Sequence, residues 1–158
     1  MDNELDYEQV KNKALSILGY RSHSEYELRQ KLKQKGASDE DIDNAIEFLK
    51  QYNFINDADF ARRYAHDLIN LKRFGAYRVR RELEQKGISS DIIEITLQGF
   101  DDDEEERLAP LVEKKLGGNF DRKNIDKTIR YFIYRGYGFD AIRHCIDYAK
   151  QNGEEYGL

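Results

Sequence analysis

One segment of the chain occurs twice, 51 residues apart, and this duplication restricts the possible folds more than any single residue does. Residues 24–38 and 75–89 both contain two apolar residues four positions apart, followed by a Lys-Gly step. Self-similarity at a fixed spacing is typical of modular proteins, in which each unit buries its apolar face against its neighbours. Because such proteins usually present extended surfaces to partners, we expect a binding protein built from stacked modules.

Apolar residues recur at helical spacing along the whole chain, and each repeat contains enough of them for three helices. We place the first repeat at 1–53, the second at 54–100 and a diverged third at 101–158. The third is marked by residues 135–137, an Arg-Gly-Tyr step that resembles the Lys-Gly-Ile step at 86–88. The sequence therefore predicts an all-α fold of three tandem three-helix repeats.

Local signals predict where several helices begin and end. Ser24 and Glu27 have the spacing of a capping box, and Gly36 supplies a left-handed stop. Asp57 is predicted to be the N-cap of the fourth helix. Pro110 is predicted to kink the seventh helix or delay its start, because proline cannot donate a backbone hydrogen bond.

The composition suits a water-exposed helical protein. Charged residues make up 36% of the chain and the mean hydropathy is −0.86, which we interpret as solvated helix faces. No run of about 18 apolar residues is present, so no membrane span is expected. The first ten residues contain four acids and no apolar run, so no secretory signal is expected. With its single cysteine, the chain is expected to be cytoplasmic.

No group of residues has the spacing of a catalytic, cofactor or metal site. The three histidines lie in three different repeats, and no phosphate-binding glycine motif is present. Cys145 falls in an apolar helical stripe, so a buried structural thiol is expected. The acidic run from Asp101 to Glu106 suits the first turn of a helix, with metal or basic-partner binding as the alternative. We therefore expect a protein that is not an enzyme and that has no cofactor.

Positive charge is concentrated in the middle repeat although the formal net charge is −5. Residues 60–86 contain eight basic side chains against three acidic ones. On a helix from about 76 to 86, Arg78 and Arg81 are predicted to lie opposite the apolar stripe. This cluster would suit phosphate or an acidic protein surface, or would only stabilise helix ends and pairs such as Arg78 with Glu82. Nearby aromatic residues either stack on bases or pack internally: Tyr64, Phe74 and Tyr77.

Four stretches, at 14–36, 56–64, 73–88 and 135–137, carry a combination of residues that is more specific than any one of them. They include Arg21-Ser22-His23-Ser24-Glu25-Tyr26-Glu27-Leu28, Asn56-Asp57-Ala58-Asp59-Phe60-Ala61, Arg73-Phe74-Gly75 and Arg135-Gly136-Tyr137. Together they resemble the RecX family of bacterial recombinase regulators. The resemblance covers roughly residues 8–149 and is weakest in the third repeat.

This resemblance implies an elongated, curved array of three three-helix modules. It also implies a non-enzymatic activity: binding the RecA recombinase in the groove of its filament on DNA, and inhibiting its ATPase and strand exchange. The overall acidity makes DNA an indirect or weak partner, and a monomer is expected. No membrane partner is expected.

The residues that we expect to face the partner come from the basic middle repeat. Arg73, Arg78 and Arg80 lie within the stretches that resemble the family. Arg63, Lys72 and Arg81 join them by charge and proximity in the chain. The alternatives are a helical protein that binds nucleic acid by itself and a helical adaptor for another protein.

Overall fold

The computed structural model describes residues 5–155 and the side chains as far as residue 153, so part of the segment tested for a secretory signal lies outside it. Within this range the chain forms nine α-helices and one short 3₁₀ helix, without a strand, which confirms the all-α prediction. The boundaries of the repeats remain predictions. The helices are α1 (Tyr7–Tyr20), α2 (Glu25–Gln34), α3 (Asp39–Gln51), α4 (Asp57–Asn70), α5 (Ala76–Gln85), α6 (Ser90–Gln98), α7 (Glu104–Leu116), α8 (Arg122–Tyr134) and α9 (Phe139–Glu155).

The chain divides into two compact units. Unit 1 contains the residues up to Tyr64 and the segment Leu83–Ile93. Its core is formed by apolar side chains of α1, α2 and α3 with Ile55: Val10, Ala14, Leu28, Leu32, Ile42, Ala45, Ile46 and Leu49. These residues recur every three or four positions, so each helix turns one apolar stripe inward.

Unit 2 contains Ala65–Glu82 and the residues from Glu94 onward. Its core joins α7, α8 and α9 through Leu108, Val112, Leu116, Phe132, Ile142 and Ile146. Cys145 belongs to this core and is 4% exposed, which confirms the predicted buried thiol. Burial, with a smaller effect of the Glu105 carboxylate, raises the pKa of this thiol to about 11.

One predicted helix start differs from the observed one, and of the two effects predicted for Pro110 the structure lacks the delayed start. Helix α4 begins at Asp57 itself, and Asn56 Oδ1 accepts the Asp59 amide at 3.0 Å, so the predicted N-cap is wrong by one residue. Pro110 lies inside α7 and does not delay it, because the helix already begins at Glu104. Glu106, four residues earlier, is exposed, so water can bond its backbone carbonyl, which the proline leaves without a donor.

The acidic run from Asp101 to Glu106 leads into α7 and forms its first turn. Residues Asp101–Asp103 make the short 3₁₀ helix, and the following glutamates form the first turn of α7. Negative charge is stabilising at this end of a helix, as the sequence predicts. Glu104 Oε1 also accepts the Ala76 amide at the start of α5, at 2.6 Å.

Candidate functional site

The repeated segment forms a contact in unit 1 that we call the first junction, between residues 24–27 and residues 86–87. Ser24 is the N-cap of α2 and forms a capping box with Glu27, as predicted. The Ser24 hydroxyl also donates to the Lys86 carbonyl at 2.6 Å. The Lys86 ammonium donates to Glu27 Oε2 at 2.8 Å. The beginning of α2 therefore holds the turn that follows α5.

Glu27 is the electrostatic centre of the first junction. Its carboxylate accepts from Lys86 and from Arg21 Nη2, the latter at 3.0 Å. Burial would raise the pKa of Glu27, but hydrogen bonds from Arg21, Lys86 and the Ser24 amide outweigh it and lower this pKa to about 2. Glu27 is therefore ionised at any physiological pH, and its charge contributes to the stability of unit 1.

Unit 2 contains an equivalent contact, the second junction, between residues 75–78 and residues 135–136. Here the backbone makes the bonds: the Gly75 amide donates to the Arg135 carbonyl at 2.9 Å, and the Tyr77 amide donates to the Gly136 carbonyl at 3.0 Å. A Cβ atom at Gly75 would lie well inside van der Waals distance of the Gly136 carbonyl. Glycine at position 75 therefore permits the approach of the turn.

Arg78 is held inside the second junction. Its Nε donates to Glu82 Oε1 at 2.9 Å, and its Nη1 donates to the Tyr134 carbonyl at 3.3 Å. Its guanidinium carbon lies 4.5 Å from the ring centroid of Phe74 and 5.2 Å from that of Tyr134. The side chain is only 18% exposed, so Arg78 does not lie on the open side of α5 that the helical periodicity predicts.

The other five predicted site residues differ in whether they form an ion pair with a neighbouring carboxylate. In unit 1, Arg63 Nε lies 3.3 Å from Asp59 Oδ2. In unit 2, Arg80 forms an ion pair with Glu94 and lowers the pKa of that carboxyl. The other three are exposed and have no ion pair with a residue that the structure describes: Lys72, Arg73 and Arg81.

Lys72 and Arg73 line a groove in unit 2 that we call the cationic groove. It has a volume of about 480 Å³ and is lined by Leu71, Lys72, Arg73, Leu111, Lys114, Lys115, Tyr131, Phe132 and Arg135. Lys114, Lys115 and Arg135 were not among the predicted site residues, because the first two lie in α7 and the third directly follows α8. The Lys-Lys pair at the end of α7 is the signal that could have indicated them.

The three aromatic residues near the basic cluster have different environments. Phe74 packs against Arg78, and Tyr64 stacks on Phe60 with ring centroids 5.5 Å apart. Tyr77 is 70% exposed on α5. Of the three, Tyr77 is therefore the residue with a ring that is mostly open to solvent.

Among the described side chains, which reach residue 153, no group of three or more histidine, cysteine, aspartate or glutamate residues could hold a metal ion. Between residues 5 and 155, no helix has both the length and the apolar character needed to cross a membrane.

Comparison with known proteins relates most of the chain to one group of proteins. Residues 11–49 match the family described as RecX, first three-helix domain, and residues 56–97 match RecX, second three-helix domain. The regulatory protein RecX of Vibrio campbellii is 33% identical over 144 residues, which cover 90% of this chain and 92% of that protein. The regulatory protein RecX of Clostridium botulinum strain Alaska E43 is 36% identical over 132 residues. This match covers 80% of the chain but only 61% of the clostridial protein.

A solved structure shows the same fold. The crystal structure of RecX from Lactobacillus salivarius superposes with a TM-score of 0.83. The superposition covers 92% of this chain and 97% of that one, at 24% sequence identity.

Proposed function

Because the chain belongs to the RecX family of regulatory proteins, we propose that it binds the RecA recombinase filament on DNA and inhibits its ATPase and strand-exchange activities. The action is non-enzymatic: the protein occupies a surface that the recombinase needs. It would act in the cytoplasm as a monomer, in DNA repair, recombination and the SOS response. DNA would be contacted weakly or through the filament, since the chain has a formal net charge of −5.

One observation carries this proposal: the cations of unit 2 that remain available to a partner. Lys72, Arg73 and Arg81 are exposed and form no ion pair within the described residues, although acids outnumber basic residues in the chain. Uncompensated positive charge on an otherwise acidic protein favours an acidic partner surface and speeds its encounter. Several such weak contacts add through effective concentration when the partner is a repeating filament.

A charge-reversal experiment tests the proposal. We expect Lys72→Glu combined with Arg81→Glu to abolish most inhibition of the RecA ATPase on single-stranded DNA while the helical circular dichroism stays unchanged. Lys123→Glu with Lys127→Glu is the matched control, because it changes the charge equally at exposed positions of α8. Full inhibition by the folded Lys72/Arg81 variant would remove these cations from the mechanism.

The exposed ring of Tyr77 favours one alternative, a helical protein that binds nucleic acid by itself, since exposed aromatic rings can stack on bases. This alternative predicts binding to DNA without recombinase. The logarithm of the binding constant should then fall with the logarithm of the salt concentration, with a slope of about −0.9 per duplex phosphate contacted. A pull-down with the immobilised protein distinguishes the two functions when it compares bare single-stranded DNA with single-stranded DNA that is coated with recombinase. Equal recovery of the bare and the coated DNA would favour the alternative.

A further inference from the structure

We propose that the cationic groove of unit 2 binds an acidic peptide segment that also carries an apolar side chain. The groove is bounded by the residues after α4, by the end of α7 and by the end of α8. Its volume of about 480 Å³ is in the range of pockets that bind small molecules. This proposal deepens the proposed function, because it specifies the chemistry of the recombinase segment that the protein would contact.

The charge of the groove selects for carboxylates. Its lining contains five cationic side chains and no carboxylate: Lys72, Arg73, Lys114, Lys115 and Arg135. None of these cations forms an ion pair with a residue that the structure describes. Arg135 is fixed in place because its Nη1 donates to the Lys72 carbonyl at 2.9 Å. A peptide with several carboxylates would neutralise charge that this protein itself leaves uncompensated.

The groove also exposes apolar surface that a purely ionic ligand would leave in water. Of its lining residues, Leu71 is 76% exposed, whereas Phe132 is buried. Leu111 adds further apolar lining. An apolar side chain of the peptide would cover this surface, in the manner of the apolar centre and charged rim of protein interfaces.

The environment of Tyr131 favours a peptide over a nucleic acid. The Lys115 ammonium lies 4.2 Å from the centroid of the Tyr131 ring, and the Arg135 guanidinium carbon lies 4.9 Å from it. A base that stacked on this ring would compete with these cations for it. Carboxylates can instead bind Lys115 and Arg135 where they already lie.

The test uses the full chain and a fluorescein-labelled synthetic peptide of alternating glutamate and leucine, measured by fluorescence anisotropy. We expect saturable binding that weakens at least about tenfold in the variant Lys114→Glu with Lys115→Glu, because two of the five cations become repulsive. The Lys123→Glu with Lys127→Glu variant should bind as the parent does. The variant Lys114→Gln with Lys115→Gln should bind the peptide with an intermediate affinity. This result would separate loss of charge from any loss of folding.

Two further peptides and one oligonucleotide identify the ligand class. Replacing the glutamates by glutamine, or the leucines by serine, should weaken binding in each case. No binding of the acidic peptide, or equal binding by the Lys114/Lys115 charge-reversal variant, would overturn the proposal. Groove-dependent binding of oligothymidylate in preference to the peptide would also overturn it, in favour of nucleic acid.

The peptide assay contains no recombinase, so its outcome is independent of the outcome for the proposed function. If the chain binds the peptide but fails to inhibit the recombinase, the groove is a peptide-binding site and the proposed partner is wrong. If the chain inhibits the recombinase but does not bind the peptide, the proposed function stands and the groove is not a peptide-binding site.

Discussion

At the first junction a lysine ammonium meets a glutamate carboxylate, whereas at the second junction backbone amides meet backbone carbonyls. Lys86 and Glu27 form the charged pair of unit 1, and a serine hydroxyl adds a further bond. In unit 2 the amides of Gly75 and Tyr77 take the corresponding role. Positions 24 and 75 are equivalent in the repeat. Serine at position 24 binds the facing turn through its side chain, whereas glycine at position 75 binds the facing turn through its backbone amide.

The two junctions share one feature: a turn whose glycine has a positive φ packs closely against the start of a helix. Gly87 has a φ of 74° and would clash with Tyr26 if it carried a Cβ. Gly136 has a φ of 101° and would clash with Arg78. Both junctions therefore keep the close approach of the turn, while the side chains that hold the turn in place differ.

The largest expected effect is that of Gly136→Ala. The new methyl group would have to overlap Arg78 in a backbone conformation that alanine rarely adopts, so we expect a loss of about 4 kcal/mol or more in the free energy of unfolding. Urea unfolding of the purified protein measures this loss.

Gly36→Ala is the matched control for this prediction. Gly36 also has a positive φ, of 92°, but a methyl group added there would have no neighbouring atom within 4 Å. We expect it to cost about 1–2 kcal/mol, the strain of the backbone conformation alone. Equal losses at the two glycines would show that close approach at the junction adds nothing.

The second prediction concerns the carboxylate charge of Glu27 at the first junction. Glu27→Gln keeps the capping geometry but removes the ion pairs with Lys86 and Arg21, so we expect a loss of about 2 kcal/mol at pH 7. Because the folded state lowers the pKa of Glu27 from 4.5 to about 2, the contribution of its charge is complete above pH 5 and disappears as the pH falls toward 2.

Unfolding of both proteins between pH 7 and pH 2 checks this prediction. The stability difference should shrink as Glu27 becomes protonated. A difference that stays constant over this range would contradict an electrostatic role for Glu27.

The smallest expected effect distinguishes a serine that only caps a helix from one that also bonds across a junction. Ser24 and Ser38 both cap helices, but only Ser24 also donates to a distant carbonyl, that of Lys86. We expect Ser38→Ala to cost about 1 kcal/mol and Ser24→Ala about 1 kcal/mol more. Thermal unfolding of the two variants measures the difference, and equal costs would remove the Ser24–Lys86 bond from the account.

Helical periodicity and capping signals predicted the elements well because both depend on residues a few positions apart. The capping box at Ser24 and the left-handed turn at Gly36 are local features, and the structure has both. The fourth helix start was misplaced because Asn56 and Asp57 are both good caps. The tertiary contact between the Asp57 carboxylate and the Glu25 amide has no local signature in the sequence.

The candidate site was less predictable because exposure depends on contacts between distant segments. Periodicity places Arg78 and Arg81 on the same open side of α5, yet only Arg81 is exposed. Tyr134, which covers Arg78, comes 56 residues later in the chain. The cationic groove joins residues after α4 with the ends of α7 and α8, so no single segment of the sequence reveals it.

The most direct test of the account compares Arg78→Gln with Arg81→Gln, for both the free energy of unfolding and inhibition of the recombinase ATPase. We expect Arg78→Gln to cost about 1–3 kcal/mol in the free energy of unfolding, because a partly buried charge-assisted bond is lost, and the folded variant to inhibit as the parent does. Arg81→Gln should leave stability within about 0.5 kcal/mol and weaken inhibition. The opposite pattern, a stable Arg78 variant that fails to inhibit beside a fully inhibitory Arg81 variant, would contradict the division between junction and binding surface.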